Sequence, residues 1–238
     1  MSDKLRFGMN ATESDLRAAI VETGQITYAH GLLCASDGNI SVRLPDGNIL
    51  ITPSGIGKGR LSTGDLLVIG PEGNIVKPAD DPLLRSTTEQ AMHLEVYRQR
   101  CDVRAVLHAH PPCATALTVV RSEFRMDVLP EMVALLGQIP ITDLAMPSSC
   151  ETADVIREPI RHHDAVMIRQ HGSLTVGKTL EEALINLERV EYIAKTILLA
   201  EMMGPVNPLP ADMLSTLRQS RLEGIVRDIT VQILNEKQ

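Results

Sequence analysis

A chain of 238 residues and 26.0 kDa is long enough to bury one sizeable core, and nothing in its composition forces a second, so a single domain over 1–238 is expected. A net charge of -7 and 2% aromatic residues argue against a surface built to neutralise a nucleic-acid backbone or to stack bases; a small anion remains within reach of a few backbone amides. Residues 1–10 lack the apolar run of a signal peptide and no later apolar stretch could span a bilayer, while Cys34, Cys101, Cys113 and Cys150 have no paired spacing; a cytoplasmic protein with reduced thiols and no membrane partner is expected.

Thr12 followed by Asp15 marks a helix start, and Leu16, Ala19, Ile20 and Ile26 carry a broken apolar stripe toward Gly31. Past Ser36-Asp37-Gly38-Asn39 the period changes to two: Ile40–Leu44 and Ile49–Thr52, joined by Pro45-Asp46-Gly47-Asn48, read as a hairpin. Leu66–Ile69, Pro71-Glu72-Gly73-Asn74 and Ile75-Val76 repeat the arrangement. A helix is predicted from Ser86-Thr87-Thr88-Glu89 through Met92, Val96 and Tyr97, then a strand over Val103–Leu107 that runs into His108-Ala109-His110 and is ended by Pro111-Pro112. Ala165–Arg169 is a further strand, stopping at Gln170-His171-Gly172, with Ser173–Val176 as its neighbour. Thr179-Leu180-Glu181-Glu182 opens the best helical stripe, Leu180 to Leu198; Leu214, Leu217, Leu222, Ile225 and Ile229 suggest a last helix that covers a neighbouring subunit. Helices mixed with antiparallel hairpins give an α/β layered domain of α+β type.

Side chains alternate faces along a strand, so His108 and His110 project together, and His171 at the end of another strand is the best third ligand for one divalent cation with an open coordination position. His30, His93, His162 and His163 lack such placement and are read as structural or solvated; Cys113 is read as a small buried residue. Glu89 has two readings that the pattern leaves open: the closing residue of a capping box, or a proton shuttle beside the cation. Thr87 and Thr88 offer hydroxyls and helix-start amides to a phosphate, and the turns at Gly38-Asn39 and Thr52-Pro53-Ser54-Gly55-Ile56-Gly57 allow close approach of an anion, although ordinary turn chemistry also explains them.

In order, Gly38-Asn39-Ile40-Ser41-Val42-Arg43, Ile51-Thr52-Pro53-Ser54-Gly55, Ser86-Thr87-Thr88-Glu89, His108-Ala109-His110-Pro111 and Gln170-His171-Gly172 closely resemble the class II aldolase and adducin head family, fuculose-phosphate aldolases in particular. The resemblance implies a central, mainly antiparallel sheet flanked by helices and a homotetramer with active sites between subunits. It further implies that His108, His110 and His171 hold zinc, with manganese or cobalt as alternatives. Glu89 would be the acid/base, and Asn39, Ser54, Gly55, Thr87 and Thr88 would bind the phosphate of a small sugar phosphate, cleaved to dihydroxyacetone phosphate and an aldehyde through a metal-stabilised enediolate. Pentulose-phosphate 4-epimerases, decarboxylases, dehydratases and the non-catalytic adducin head resemble this sequence too. One departure stands out: those aldolases supply tyrosines from a mid-chain loop and the tail, whereas here only Tyr28, Tyr97 and Tyr192 occur, leaving Glu131 or a water as the acid for the aldehyde oxygen.

Overall fold

The computed structural model describes residues 11–222. Helix α1, Glu13–Ala29, opens on a reciprocal capping box in which the Asp15 amide donates to Thr12 Oγ1 and the Thr12 amide to the Asp15 carboxylate. It stops before Gly31, whose φ of +69° turns the chain back. Strands β1 (Asn39–Arg43), β2 (Ile49–Ile51), β3 (Leu67–Ile69) and β4 (Ile75–Lys77) form the two predicted hairpins. Helix α2 spans Gln90–Gln99 and leads to β5, Ala105–Ala109. Helices α3 (Pro112–Val120), α4 (Pro130–Leu135) and α5 (Cys150–Ile160) precede β6 (Ala165–Ile168) and β7 (Gly172–Gly177). Helix α6, Leu180–Met203, and helix α7, Ala211–Leu222, follow.

All strand pairs are antiparallel, in the order β4-β3-β2-β1-β5-β7-β6. The strand that carries His108, β5, is therefore interior, paired with β1 and β7. Alternation sorts the sheet's apolar residues onto two faces: Ile40, Val42, Leu50, Ala105 and Leu107 meet α1 and α6, whereas Ile49, Ile51, Val106, Val166 and Leu174 meet α2 and α5. Asn39, Ser41 and His108, out of phase with the first set, face α2. Glycine at position 24 lets α1 lie against the turn at Lys58–Arg60, since a Cβ there would sit 2.4 Å from the Lys58 carbonyl oxygen.

One expectation is amended. Pro111-Pro112 does end β5, but Pro112 also begins α3, because the first turn of a helix needs no N–H from proline. The tail helix lies against α4 of its own chain, with the Arg221 guanidinium donating to the Leu135 carbonyl; Ile225 and Ile229 fall outside the described residues. Among the described residues no helix is long and apolar enough to cross a membrane.

Candidate metal centre

Two chain segments deliver three imidazoles to one point. His108 lies in β5, paired with Asn39 of β1 on one side and Leu174 of β7 on the other, and His110 follows just past the strand end. His171 sits on the tight turn between β6 and β7, its amide bonded to the Ile168 carbonyl 3.1 Å away. That turn places Gln170 at φ +52°, a strained conformation for a residue with a side chain, held by its amide donating to Thr118 Oγ1 at 2.9 Å. Gly172 is required by packing: a Cβ there would stand 2.4 Å from the Ala109 oxygen and 2.6 Å from the His110 ring.

The ring centroids are 4.8 to 5.1 Å apart, and ligand atoms of the three residues all fall within 4.8 Å of one another. His108 Nδ1 donates to the Ser173 carbonyl at 2.9 Å, which leaves the lone pair on Nε2, the atom 3.0 Å from His110 Nε2. Burial, then the neighbouring imidazoles, hold His108 well below the ordinary imidazole range; burial and His171 also lower His110. His108 and His110 are thereby held as neutral donors, as metal ligands must be. His171 Nδ1 and Glu89 Oε1 are buried without a hydrogen-bond partner. Converging lone pairs, unsatisfied buried polar atoms and an adjacent carboxylate suit a divalent cation with three imidazole ligands.

Glu89 does not close a capping box. It is the N-cap residue of α2 but makes no side-chain bond to the helix start. Its carboxylate turns toward the imidazoles instead, with Oε2 3.2 Å from His108 Nε2 and Oε1 3.4 Å from His171 Nε2. Thr87 is buried next to it, its hydroxyl oxygen accepting from the Glu89 amide at 3.3 Å; exposed Thr88 bonds Ser148 Oγ at 2.7 Å. The turn carrying Ser54 and Gly55 runs alongside, through the Ser54 amide to Arg85 oxygen bond and the Thr87 amide to Thr52 oxygen bond. Both residues are exposed, and Gly55 has φ +79°. Asn39 is employed differently from a free anion ligand: its amide nitrogen donates to Glu89 Oε2 at 2.8 Å and Thr87 Oγ1 at 3.1 Å, so both its hydrogens are used inside the protein.

Glu131 is exposed in the first turn of α4, an element that supplies none of the histidine cluster. The Cys113 thiol is pushed up to about 11 by burial and by Glu191, which keeps it protonated and unlike a metal ligand. His30 pairs with Glu188 at 3.1 Å, and His162 and His163 lie between α5 and the start of β6, outside the histidine cluster. His93, read from sequence as structural, is fully buried and bonds Asn39 Oδ1. The signal for it was there: His93 is four residues after Glu89, the spacing that puts two side chains on one helix face. Lys58 was also missed. Only 2% exposed, it donates to the Ser36 and Ile56 carbonyls, and burial lowers it to about 8 against the opposing pull of Asp37 and Glu89.

The sequence profile described as Class II Aldolase and Adducin N-terminal domain matches residues 18–198. The chain belongs to this family. Members of this divalent-metal-dependent family with solved structures include L-fuculose-1-phosphate aldolase from Thermus thermophilus, similar at 34% identity over 81% of this chain and 98% of that one, with a TM-score of 0.70. The 3-oxo-tetronate 4-phosphate decarboxylase of Escherichia coli (strain K12) is 29% identical over 212 residues, covering 87% of this chain and 96% of the relative. The methylthioribulose-1-phosphate dehydratase of Methylococcus capsulatus is 33% identical over 200 residues, 78% and 94% of the two chains. All three relatives of this class II aldolase-family chain are named for small phosphorylated substrates.

Proposed function

We propose that this protein is a metal-dependent lyase of the class II aldolase family that cleaves a ketose 1-phosphate to dihydroxyacetone phosphate and an aldehyde. The observation that carries this reading is the Glu89 carboxylate, turned away from its own helix start and into contact with two imidazoles of a three-histidine cluster. His108, His110 and His171 are assigned as ligands of zinc, with manganese or cobalt able to take the same donor set. When bound, the cation supplies Lewis-acid stabilisation of the negative charge that carbon–carbon cleavage leaves on oxygen.

The chain's own groups do the rest. Glu89, buried and beside the metal ligands, is assigned the proton that returns to the electron-rich carbon. The exposed hydroxyls of Ser54 and Thr88, the Gly55 backbone and the Thr87 hydroxyl, whose hydrogen is free to donate, are assigned to the phosphate, with Asn39 holding Thr87 and Glu89 beneath it. We take the chain to act as one domain, in the cytoplasm, within a homotetramer, as the resemblance implies.

A second reading, decarboxylation of a 3-oxo acid phosphate or dehydration of a pentulose phosphate, is favoured by the long matches to the decarboxylase and the dehydratase and by the missing mid-chain and tail tyrosines. The test is a panel of ketose 1-phosphates, ribulose 5-phosphate and oxo-acid phosphates on metal-loaded protein, with a chelator control and product identification. Chelator-sensitive release of dihydroxyacetone phosphate supports the aldolase; carbon dioxide, a dehydrated ketone or an epimer transfers the site to another reaction of the family. No turnover on any of them would favour a non-catalytic interaction module like the adducin head.

A further inference from the structure

Beneath Glu89 four buried side chains from β1 and α2 form one continuous hydrogen-bonded line that ends on its carboxylate. Tyr97 Oη lies 2.8 Å from Ser41 Oγ, Ser41 Oγ 2.7 Å from His93 Nδ1, His93 Nε2 2.5 Å from Asn39 Oδ1, and Asn39 Nδ2 2.8 Å from Glu89 Oε2. Strand alternation puts Asn39 and Ser41 on the face toward α2, while Glu89, His93 and Tyr97, each four residues apart, present one helix face to them. Ser41 and His93 are wholly inaccessible to solvent and Asn39 is 2% exposed, so no water can substitute for a missing partner.

The chemistry of the groups fixes every proton. An ionised carboxylate only accepts, so Asn39 must turn its NH2 toward Glu89 and its carbonyl toward His93. A carbonyl only accepts as well, so His93 carries its hydrogen on Nε2. The lone pair on His93 Nδ1 then takes the Ser41 hydroxyl hydrogen, and the Ser41 oxygen takes that of Tyr97. Four donors therefore point the same way, from the bottom of α2 to the carboxylate. Burial, aided by His108, presses His93 down to about 3, which keeps it neutral.

Resting on the assignment of Glu89 as the proton-moving group, we propose that Tyr97, Ser41, His93 and Asn39 are a positioning chain whose task is to fix the Glu89 carboxylate against the histidine cluster. Asn39 serves the acid/base group through its side-chain NH2, which donates to Glu89 Oε2. Among the described residues the Nε2 hydrogen of His93 is the one donor bonded to Asn39 Oδ1, so His93 is the residue on which the far side of the amide depends.

The test compares His93→Leu, which removes that hydrogen, with His93→Gln, whose side-chain amide reaches the Nε2 position and can restore it. Nitrogen-15 NMR of the full-length wild-type protein should show His93 as the neutral Nε2–H tautomer. Crystal structures of the variants should show the Glu89 carboxylate displaced in His93→Leu and in place in His93→Gln. On whichever substrate the panel identifies, His93→Leu should lose kcat by roughly 10- to 100-fold with KM and metal content little changed, and His93→Gln should recover most of it. An Nδ1–H tautomer, an undisplaced Glu89 in His93→Leu, or equal loss of kcat in both variants overturns the proposal. The tautomer and the carboxylate position are read without turnover, so a wrong reaction class would leave them intact and would be recognised separately.

Discussion

A glutamate three residues after a serine at a helix start has a cheap local use, and residue 89 declines it. The sequence pattern Ser86-Thr87-Thr88-Glu89 carried both options because a capping box and a catalytic carboxylate need the same residue at the same place; only the three-dimensional position of His108 and His171 separates them. Replacement Glu89→Gln should keep the metal and cost turnover by ~10²- to 10⁴-fold, the usual worth of a general acid/base. Metal analysis beside steady-state kinetics checks this, and full activity would remove Glu89 from the mechanism. His108→Ala should lose metal and activity together. Lys58 offers a pH test. Below about pH 8 it is charged in both folded and unfolded chains, and the cost of burying the charge is felt in full. Between about 8 and the ordinary lysine value of 10.5 the folded protein alone sheds the proton, so stability recovers as pH rises. Wild type should therefore gain on Lys58→Met by up to roughly 3 kcal/mol between pH 7 and 10 in urea melts. A constant difference would show that Lys58 keeps its normal proton affinity. No sequence pattern could have revealed this residue, because its burial comes from two loops meeting α1 and not from any period of its own.

At the scale of elements, legibility followed periodicity. The hairpins show short apolar runs around turn residues, α6 a clear stripe and α1 a broken one, and the helix caps are visible as Thr12 with Asp15 and Thr179 with Glu182, whose amide donates to Thr179 Oγ1. Helix α3 was hidden behind Pro111-Pro112, which announce the end of a strand as readily as the start of a helix. Helix α5 was overlooked; it carries Pro159 near its end, a residue that reads as a helix breaker although the last turn tolerates it here. The convergence of β5 with the β6–β7 turn rests on Gly172, and Gly172→Ala should push the strand off Ala109 or tilt the His110 ring. We expect about 1 to 3 kcal/mol of destabilisation together with weaker metal binding, measurable by chemical denaturation and by titration with zinc. Unchanged zinc affinity would mean that the turn yields without moving the ligands. A purely packing change, Leu184→Ala at a fully buried position of α6, should by contrast cost about 2 to 5 kcal/mol while the zinc affinity of the remaining folded protein holds.

For the whole molecule, ligands separated by 63 residues of chain, from His108 to His171, mean that a cation bound here favours the folded state over an unfolded chain that cannot assemble the site. At about a thousandfold excess over its dissociation constant that preference is ~4 kcal/mol, or roughly 10 °C in a chain of this size, and a chelator should lower Tm accordingly. A Tm indifferent to chelator would argue against the three-histidine site as a tight one. The antiparallel sheet also has two ends, treated unequally. Along β6 the segment at Pro140–Thr142 supplies backbone bonds to Met167, closing that border. Strand β4 has no such cover among the described residues: Ile75, Val76 and Lys77 are all exposed. An uncovered border is a template for a foreign strand, and this one is kept harmless by brevity, three residues, and by a lysine whose ammonium is tied back to Glu13 at 2.9 Å. A residue far from any chemistry thus guards this border, and exchanging Lys77 for valine should make the folded protein more prone to self-association, measurable by light scattering.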